Sequence, residues 1–327
     1  MDLVDTLRKK ILVLEEGEYI PGLKAILLHI ETAFRHLSRG QESEDDTAFT
    51  DAIYRTNQAF EGSVKEAYRV LACQDPAKKR PYDIENYLEQ HNIFRSRVLS
   101  QLAIYRTEWR NPAAHDYKLD FDESEAFLAI ISVSAFACLL LDQIAERLAY
   151  TKSQAEAEAQ KIQLAASLAQ TLNADLLARV TDLLLQFCAT HMPPASTSSG
   201  KLTESQVIGA LHGFLASAAP ELSVQTEARL DAEKYFRADL LITRGEDRLV
   251  IELKRKLLEQ NYASAVAQIE QYLLVGGIKY GVLLFLPDGP NEMERLDSAA
   301  TGIDGHLAVL SPRGSNPSFK RTIDGTT

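Results

Sequence analysis

The hydrophobic repeat of this chain changes period once, at a tract built to interrupt structure: MPPASTSSG, residues 192–200. Upstream, apolar residues recur at helical spacing, as in Leu23, Ile26, Leu27, Ile30 and Phe34, and again in Phe127, Ile130, Ile131, Phe136 and Leu140. Downstream come the strand-like runs SVQTEARLD, ADLLIT and RLVIELK. Pro193-Pro194 stops a helix, and the Ser/Thr/Gly residues after it make a flexible linker. A chain patterned this way is multidomain: an all-α helical bundle followed by an α/β domain. Its 327 residues are enough for two cores, at roughly 150 residues per domain.

Within the helical part, the polar stretch Gln41–Thr47 separates the first helices from AIYRTNQAFEGSVKEAYRVLA, and Asp75–Pro81 is a loop. A helix from near Ile84 is predicted to end near Asn111, because Pro112 disfavours the α region in the residue before it. Asp122 and Glu125 have capping-box spacing and start the most apolar run, Ala126–Leu141. That run has 16 residues, short of the roughly 20 that span a bilayer, so it reads as a buried bundle helix. Residues 151–190 form one or two long helices with no recognisable chemistry.

After the linker, Thr203 and Gln206 form a capping box for a helix through Phe214 and Leu215. Three strands follow, with Arg244–Asp247 as a turn; then a helix over Gln260–Leu274, stopped by Gly276-Gly277; then an apolar strand, Tyr280–Leu286. HLAVL near residue 308 is a further strand. This order predicts a sheet of mixed pairing.

The net charge is −11, from 35 Lys plus Arg against 46 Asp plus Glu. Residues 200–327 hold 14 basic and 17 acidic side chains, a net of −3, which leaves −8 for residues 1–199. Such acidity argues against a constitutively basic nucleic-acid binder, so phosphate recognition has to be local. Cys73, Cys138 and Cys188 are far apart with no CxxC, which excludes a disulfide framework and a zinc site. MDLVDTLRKK has no signal-peptide pattern. The expectation is a cytoplasmic protein with no membrane association.

Two constellations carry chemistry. The first is Arg110-Asn111-Pro112-Ala113-Ala114-His115. A guanidinium holds a phosphate bidentately, and an imidazole near its ordinary pKa moves protons at neutral pH. Asn111 adds a neutral donor and acceptor. One His is too few for separate acid and base; a symmetric homodimer supplies two. YRTEWRNPAAHDYKLDFDESEAFLAIISVSAF resembles the HEPN family of all-α ribonucleases, with its R-x(4–6)-H signature before a long final helix. The resemblance covers about residues 1–148. It implies an RNA substrate, dimerisation and no metal, with Glu61 and Lys65 of the upstream helix as supporting residues.

The second lies on predicted strands: Asp239 on one, Glu252 and Lys254 on the next. Residues two apart on a strand share a face. Two carboxylates with a Lys make an oxygen-ligand site for Mg²⁺ or Mn²⁺, with Asp239 and Glu252 as ligands. A charged E-x-K inside the apolar VIELK is costly unless it faces a cleft. The arrangement resembles the PD-(D/E)xK, or restriction-endonuclease-like, superfamily, over about residues 201–311. The usual Pro of its signature is Ala238 here. Gln268 and Tyr272 match the family's QxxxY, and Glu204 matches its upstream acid.

The chain thus reads as a bundle (1–148), connecting helices (149–191), a linker (192–200), a nuclease-like domain (201–311) and a polar tail (312–327). The resemblances imply a defence-type effector that cuts RNA without metal at one site and DNA with Mg²⁺ at the other. One alternative is a DNA nuclease whose bundle only dimerises or senses RNA. The other is a non-catalytic nucleic-acid-binding scaffold. The acidic surface and long helices are compatible with control by a regulatory partner protein or by assembly.

Overall fold

The structure is a computed structural model that describes residues 3–115, 120–192, 202–231, 236–255, 259–287, 289, 291–300 and 305–314. Most of the linker (193–200) and most of the tail (315–327) lie outside the described residues. Contacts divide the chain into two units, Met1–Arg147 and Leu148–Thr327.

The first unit is all helical: α1 (Leu3–Leu12), α2 (Ile20–Ser43), α3 (Thr47–Leu71), α4 (Pro81–Gln90), α5 (Ser96–Tyr105), a π-turn (Arg106–Arg110), α6 (Asn111–His115) and the start of α7 (Glu123–Ala159). Its core packs apolar stripes at helical spacing, such as Leu23, Ile26, Ile30 and Leu37 of α2 and Ile53, Phe60 and Val64 of α3. The α7 helix is long and apolar enough to cross a membrane, but one stripe of it (Ala126, Ile130, Val133, Phe136, Leu140) is buried in the bundle. Its start is the expected capping box: Asp122 N–H donates to Glu125 and Glu125 N–H to Asp122, both at 2.9 Å.

Two expectations for this unit are corrected. The helix expected over 84–111 is interrupted at 91–95, where Asn92 takes a positive φ of 52°. Nor does helical backbone stop before Pro112. It widens into the π-turn, where Asn111 N–H reaches the Arg106 carbonyl, and α6 then carries it to His115. A proline ring clashes with the carbonyl four residues earlier and leaves that carbonyl without a donor; the wider turn accommodates this inside continuous helical structure.

The second unit contains the end of α7, α8 (Lys161–Ser167), α9 (Leu176–Thr190), α10 (Glu204–Ala218) and α11 (Glu259–Gly276) around a sheet. The strands are β1 (Ser223–Arg229), β2 (Arg237–Arg244), β3 (Asp247–Lys254), β4 (Tyr280–Phe285), β5 (Met293–Ala299) and β6 (His306–Pro312), in the order β1-β2-β3-β4-β6-β5. β1, β2 and β3 pair antiparallel, β3-β4-β6 parallel, and β5 antiparallel to β6. The mixed sheet was expected, but β5 was not. On one face Leu240, Ile242, Ile251, Leu284 and Leu310 pack against α8, α9 and α10. On the other, Val250, Leu283 and Val309 pack against Ile269 and Leu273 of α11.

The domain boundary is therefore not the Pro/Ser tract. Leu176, Val180, Leu183, Leu184 and Phe187 of α9, upstream of that tract, are fully buried in the sheet core. Residues 149–191 belong to the α/β unit because that apolar stripe needs a partner, and the sheet face provides it.

Candidate functional site

The α/β unit brings Asp239, Glu252, Lys254, Gln268 and Tyr272 to one end of the sheet. β3 is nearly continuous apolar structure, paired on both sides, so Glu252 is only 5 % exposed. Lys254, two residues on, donates to Glu252 Oε1 at 2.8 Å and to Gln268 Oε1 at 2.9 Å. Gln268 sits on α11 and spends its amide N–H groups on Glu252 Oε1 (2.8 Å) and the Tyr272 hydroxyl (2.6 Å). Four of the residues singled out in the sequence thus form one hydrogen-bonded chain. Phe236, at the entry to β2, packs edge-on against Tyr272 with ring centroids 6.2 Å apart.

Asp239 reaches the site through an irregularity in β2. Ala238 and Leu241 pack into the α11-side core, whereas Leu240 and Ile242 pack into the opposite one, so strict alternation fails around Asp239. Across the ladder, Glu227 of β1 adopts φ 48°, and the paired residues step from Thr226↔Leu240 to Ala228↔Ala238. The freed Asp239 carboxylate accepts the backbone N–H of Leu253 at 2.7 Å.

The electrostatics are unbalanced. Burial pushes the Asp239 carboxyl up to about 7, with the Glu252 charge as the next cause and Glu204 contributing further. Burial also raises Glu252, against the pull of Lys254. Glu252 Oε2 is buried and makes no well-formed hydrogen bond among the described residues, although the Asp239 backbone N–H lies close enough to the carboxyl to oppose the rise. Glu204 is the first residue of α10, inside the expected Thr203–Gln206 capping box, and its charge is felt at Asp239 although its side chain is exposed.

An oxygen-seeking dication fits this donor set. It would satisfy the orphaned Glu252 oxygen and relieve the repulsion between buried Glu252 and half-buried Asp239. Among the described residues no group of three or more His, Cys, Asp or Glu side chains gathers as a metal cage. Mg²⁺ commonly takes one or two carboxylates and completes its shell with water and substrate phosphate, so two suffice.

In the helical unit, Arg110 donates to Asn111 Oδ1 at 3.0 Å. His115 is the last residue of α6, and its side chain lies outside the described part of the structure. Among the described residues, no hydrogen bond or ion pair joins Glu61 or Lys65 to Arg110 or Asn111. Glu61 lies instead near Tyr105, whose phenol is raised chiefly by burial and further by the Glu61 charge.

The acids that face the π-turn come from α4, and sequence reading missed them. Arg106 lies 2.6 Å from Glu89 and 3.4 Å from Glu85. Glu85 is 2 % exposed with Oε1 unpartnered; burial raises its carboxyl, and Arg110 and Arg106 oppose the shift. The only available signal was the i, i+4 pair Glu85/Glu89. Trp109 is half-buried and packs against the bundle-core cluster that includes Phe49, Ile53 and Ile130.

Comparisons of this chain with protein-family models, with curated proteins and with solved structures find no match.

Proposed function

We infer that the α/β unit is a divalent-cation-dependent nuclease that hydrolyses phosphodiester bonds in DNA, in the manner of the PD-(D/E)xK enzymes its motif resembles. The observation that carries this reading is the convergence of half-buried Asp239 and buried Glu252, both with raised carboxyl pKa, beside Lys254, with Glu252 Oε2 unpartnered among the described residues. Buried like charges are strongly unfavourable without a compensating cation. Asp239 and Glu252 would hold Mg²⁺ or Mn²⁺, and the ion would supply positive charge beside the scissile phosphate.

The chain's own residues do the rest. Lys254 is held by Glu252 and Gln268 and has one remaining N–H to orient a water or a phosphate oxygen. Gln268 fixes both Lys254 and Glu252 and is itself held by Tyr272. The Leu253 N–H keeps the Asp239 carboxylate aimed at the same place.

For the helical unit the reading is metal-independent RNA cleavage by a homodimer, on the resemblance of its motif to the HEPN ribonucleases. Arg110 would hold the phosphate and His115 would move the proton of the attacking 2′-hydroxyl. Asn111 supports this by its hydrogen bond to Arg110. Two such activities in one cytoplasmic chain suit a defence-type effector.

The test uses purified full-length protein with plasmid DNA and Mg²⁺, and with RNA in EDTA. DNA cleavage is expected to need Mg²⁺ and to disappear in Glu252→Gln and Lys254→Ala. RNA cleavage is expected to persist in EDTA and to disappear in His115→Ala. DNA cleavage surviving Glu252→Gln overturns the first reading, and RNA cleavage surviving His115→Ala overturns the second.

A further inference from the structure

The outer face of the α2–α3 hairpin holds arginines that the bundle does not neutralise. His29, Thr32, His36 and Arg39 recur at three- and four-residue steps along one side of α2, as do Asp51, Arg55 and Gln58 along α3. Contacts join the two stripes at one end: Asp51 lies 2.8 Å from Arg39 and 3.9 Å from His36. Arg39 is thereby neutralised, with Asp45 as a second partner at 3.2 Å. Arg35 and Arg55 are not. Arg35 donates to the Thr32 hydroxyl at 2.7 Å and Arg55 to the Gln58 amide oxygen at 3.0 Å, and neither forms an ion pair among the described residues. Glu31, the acid on α2 between His29 and Arg35, is engaged by Arg8 of α1 at 2.7 Å.

The three guanidiniums share one field. Burial lowers the His36 pKa, Asp51 opposes this, and Arg39, Arg55 and Arg35 each lower it further. Burial and then Arg55 lower His29 as well. Both imidazoles are therefore neutral at neutral pH and leave the groove's positive charge to the arginines. This concentration stands out because residues 1–199 carry a net of −8.

An exposed aromatic ring lies next to the groove. Tyr54 is 55 % exposed and heads a stripe on α3 with Gln58, Glu61 and Lys65. On one side of that stripe are Asp51 and Arg55, facing α2. On the other is the side of α3 where the Tyr105 hydroxyl donates to Asn57 at 2.9 Å and the Phe121 N–H to Thr50 at 3.2 Å. Tyr105 directly precedes the π-turn that ends in Arg110. The stripe thus bridges the arginine groove and the Arg110 motif.

We propose that the outer α2–α3 groove binds single-stranded RNA, with Arg35 and Arg55 on phosphates and Tyr54 stacked on a base. Its use in feeding the Arg110–His115 motif rests on the ribonuclease reading above; the binding itself is tested without cleavage. Arginine forks hold phosphate oxygens bidentately. An aromatic ring stacks on bases that are not already stacked in a duplex, which favours a single strand over double-stranded DNA.

The experiment is fluorescence anisotropy on full-length protein in EDTA, across about 50 to 200 mM NaCl. The probe is a labelled single-stranded 2′-O-methyl RNA of about 12 nucleotides, which lacks the 2′-hydroxyl nucleophile. For single strands each phosphate contact contributes about 0.7 to the slope of log K against log[salt]. Arg35→Ala/Arg55→Ala is expected to lose about 1.4 from that slope and to bind at least about 10-fold more weakly near 100 mM salt. Arg35→Lys/Arg55→Lys is expected to restore most of the slope. Arg35→Gln/Arg55→Gln, which keeps helix-forming side chains able to hydrogen-bond, is expected to repeat the alanine result, so a folding defect in the alanine variant does not decide the outcome. Tyr54→Ala is expected to bind about fivefold or more weakly with its slope unchanged, and Tyr54→Phe to bind like the wild type.

An unchanged slope in the folded alanine or glutamine variant overturns the proposal, and so does full binding by Tyr54→Ala. Failure of the wild type to bind the probe, or tighter binding of a duplex DNA or of a polyglutamate peptide, overturns it as well. Cleavage of unmodified RNA by His115→Ala is scored separately: its persistence fails the ribonuclease reading and leaves the slope comparison intact.

Discussion

The Asp239 carboxylate accepts the backbone N–H of Leu253 at 2.7 Å, one step beyond Leu240↔Ile251, the outermost β2–β3 pair at that end of the ladder. A side chain thus continues the ladder where the backbone pairing stops. The same bond fixes the carboxylate beside Glu252.

Asp239→Asn keeps an oxygen that can accept from Leu253 and removes one of two repelling charges. The expected result is a fold at least as stable as wild type without divalent ions, with Mg²⁺-dependent cleavage reduced at least about 100-fold. Thermal melts and plasmid-nicking assays on the same preparation check the two halves. A destabilised but active variant contradicts the assignment.

Divalent ions themselves are expected to stabilise the wild type. Anything that binds only the folded state raises its melting temperature with concentration, so titrating Mg²⁺ or Mn²⁺ is expected to shift the wild-type melt upward. The shift is expected to vanish in Glu252→Gln, which removes the carboxylate whose second oxygen is unpartnered.

Gln268 is expected to act through Lys254 and Glu252. Gln268→Ala leaves Lys254 with one of its two hydrogen bonds and Glu252 Oε1 with one donor. A loss of about 1 kcal/mol in stability per net hydrogen bond and a roughly tenfold or greater fall in cleavage rate are expected. Gln268→Glu brings a third carboxylate into the cluster and is expected to fall further, read as a higher Mg²⁺ requirement in the cleavage assay.

Glu85 gives the helical unit a pH signature. Burial raises its carboxyl above the ordinary 4.5 in the folded chain, with Arg110 and Arg106 opposing. The folded state then holds that proton more tightly than the unfolded chain does. This contribution is greatest below the unfolded pKa and is lost as pH rises through the folded one. Glu85→Gln is therefore expected to flatten the decline in melting temperature from about pH 4.5 upward. An unaltered slope against pH contradicts this.

Local chemistry was the legible part of this chain. Both capping boxes, Asp122–Glu125 and Thr203–Gln206, rest on residues three apart, and both appear in the structure. The E-x-K strand and QxxxY helix were readable for the same reason, and folding joins them by hydrogen bonds. Non-local features were not readable. The link from Arg106 to Glu85 and Glu89 spans about 20 residues and carries no motif. β5, with the sequence MERLDSA, alternates exposed and half-buried positions at the sheet edge and lacks the apolar run that marked β4 and β6. The proline rule placed a helix end at Asn111 because it does not allow for a π-turn.

The burial of α9 against the sheet changes what the Pro/Ser tract is good for. A protease that cuts between residues 193 and 200 severs the chain without separating its two pieces, because Phe187 and Leu184 upstream and Leu215 and Ile242 downstream fill one interior. The nicked protein is expected to migrate as a single species until denatured. Two polypeptides, 1–192 and 201–327, expressed together are expected to reconstitute the α/β unit, whereas 201–327 produced alone would expose the apolar face that α9 covers and aggregate.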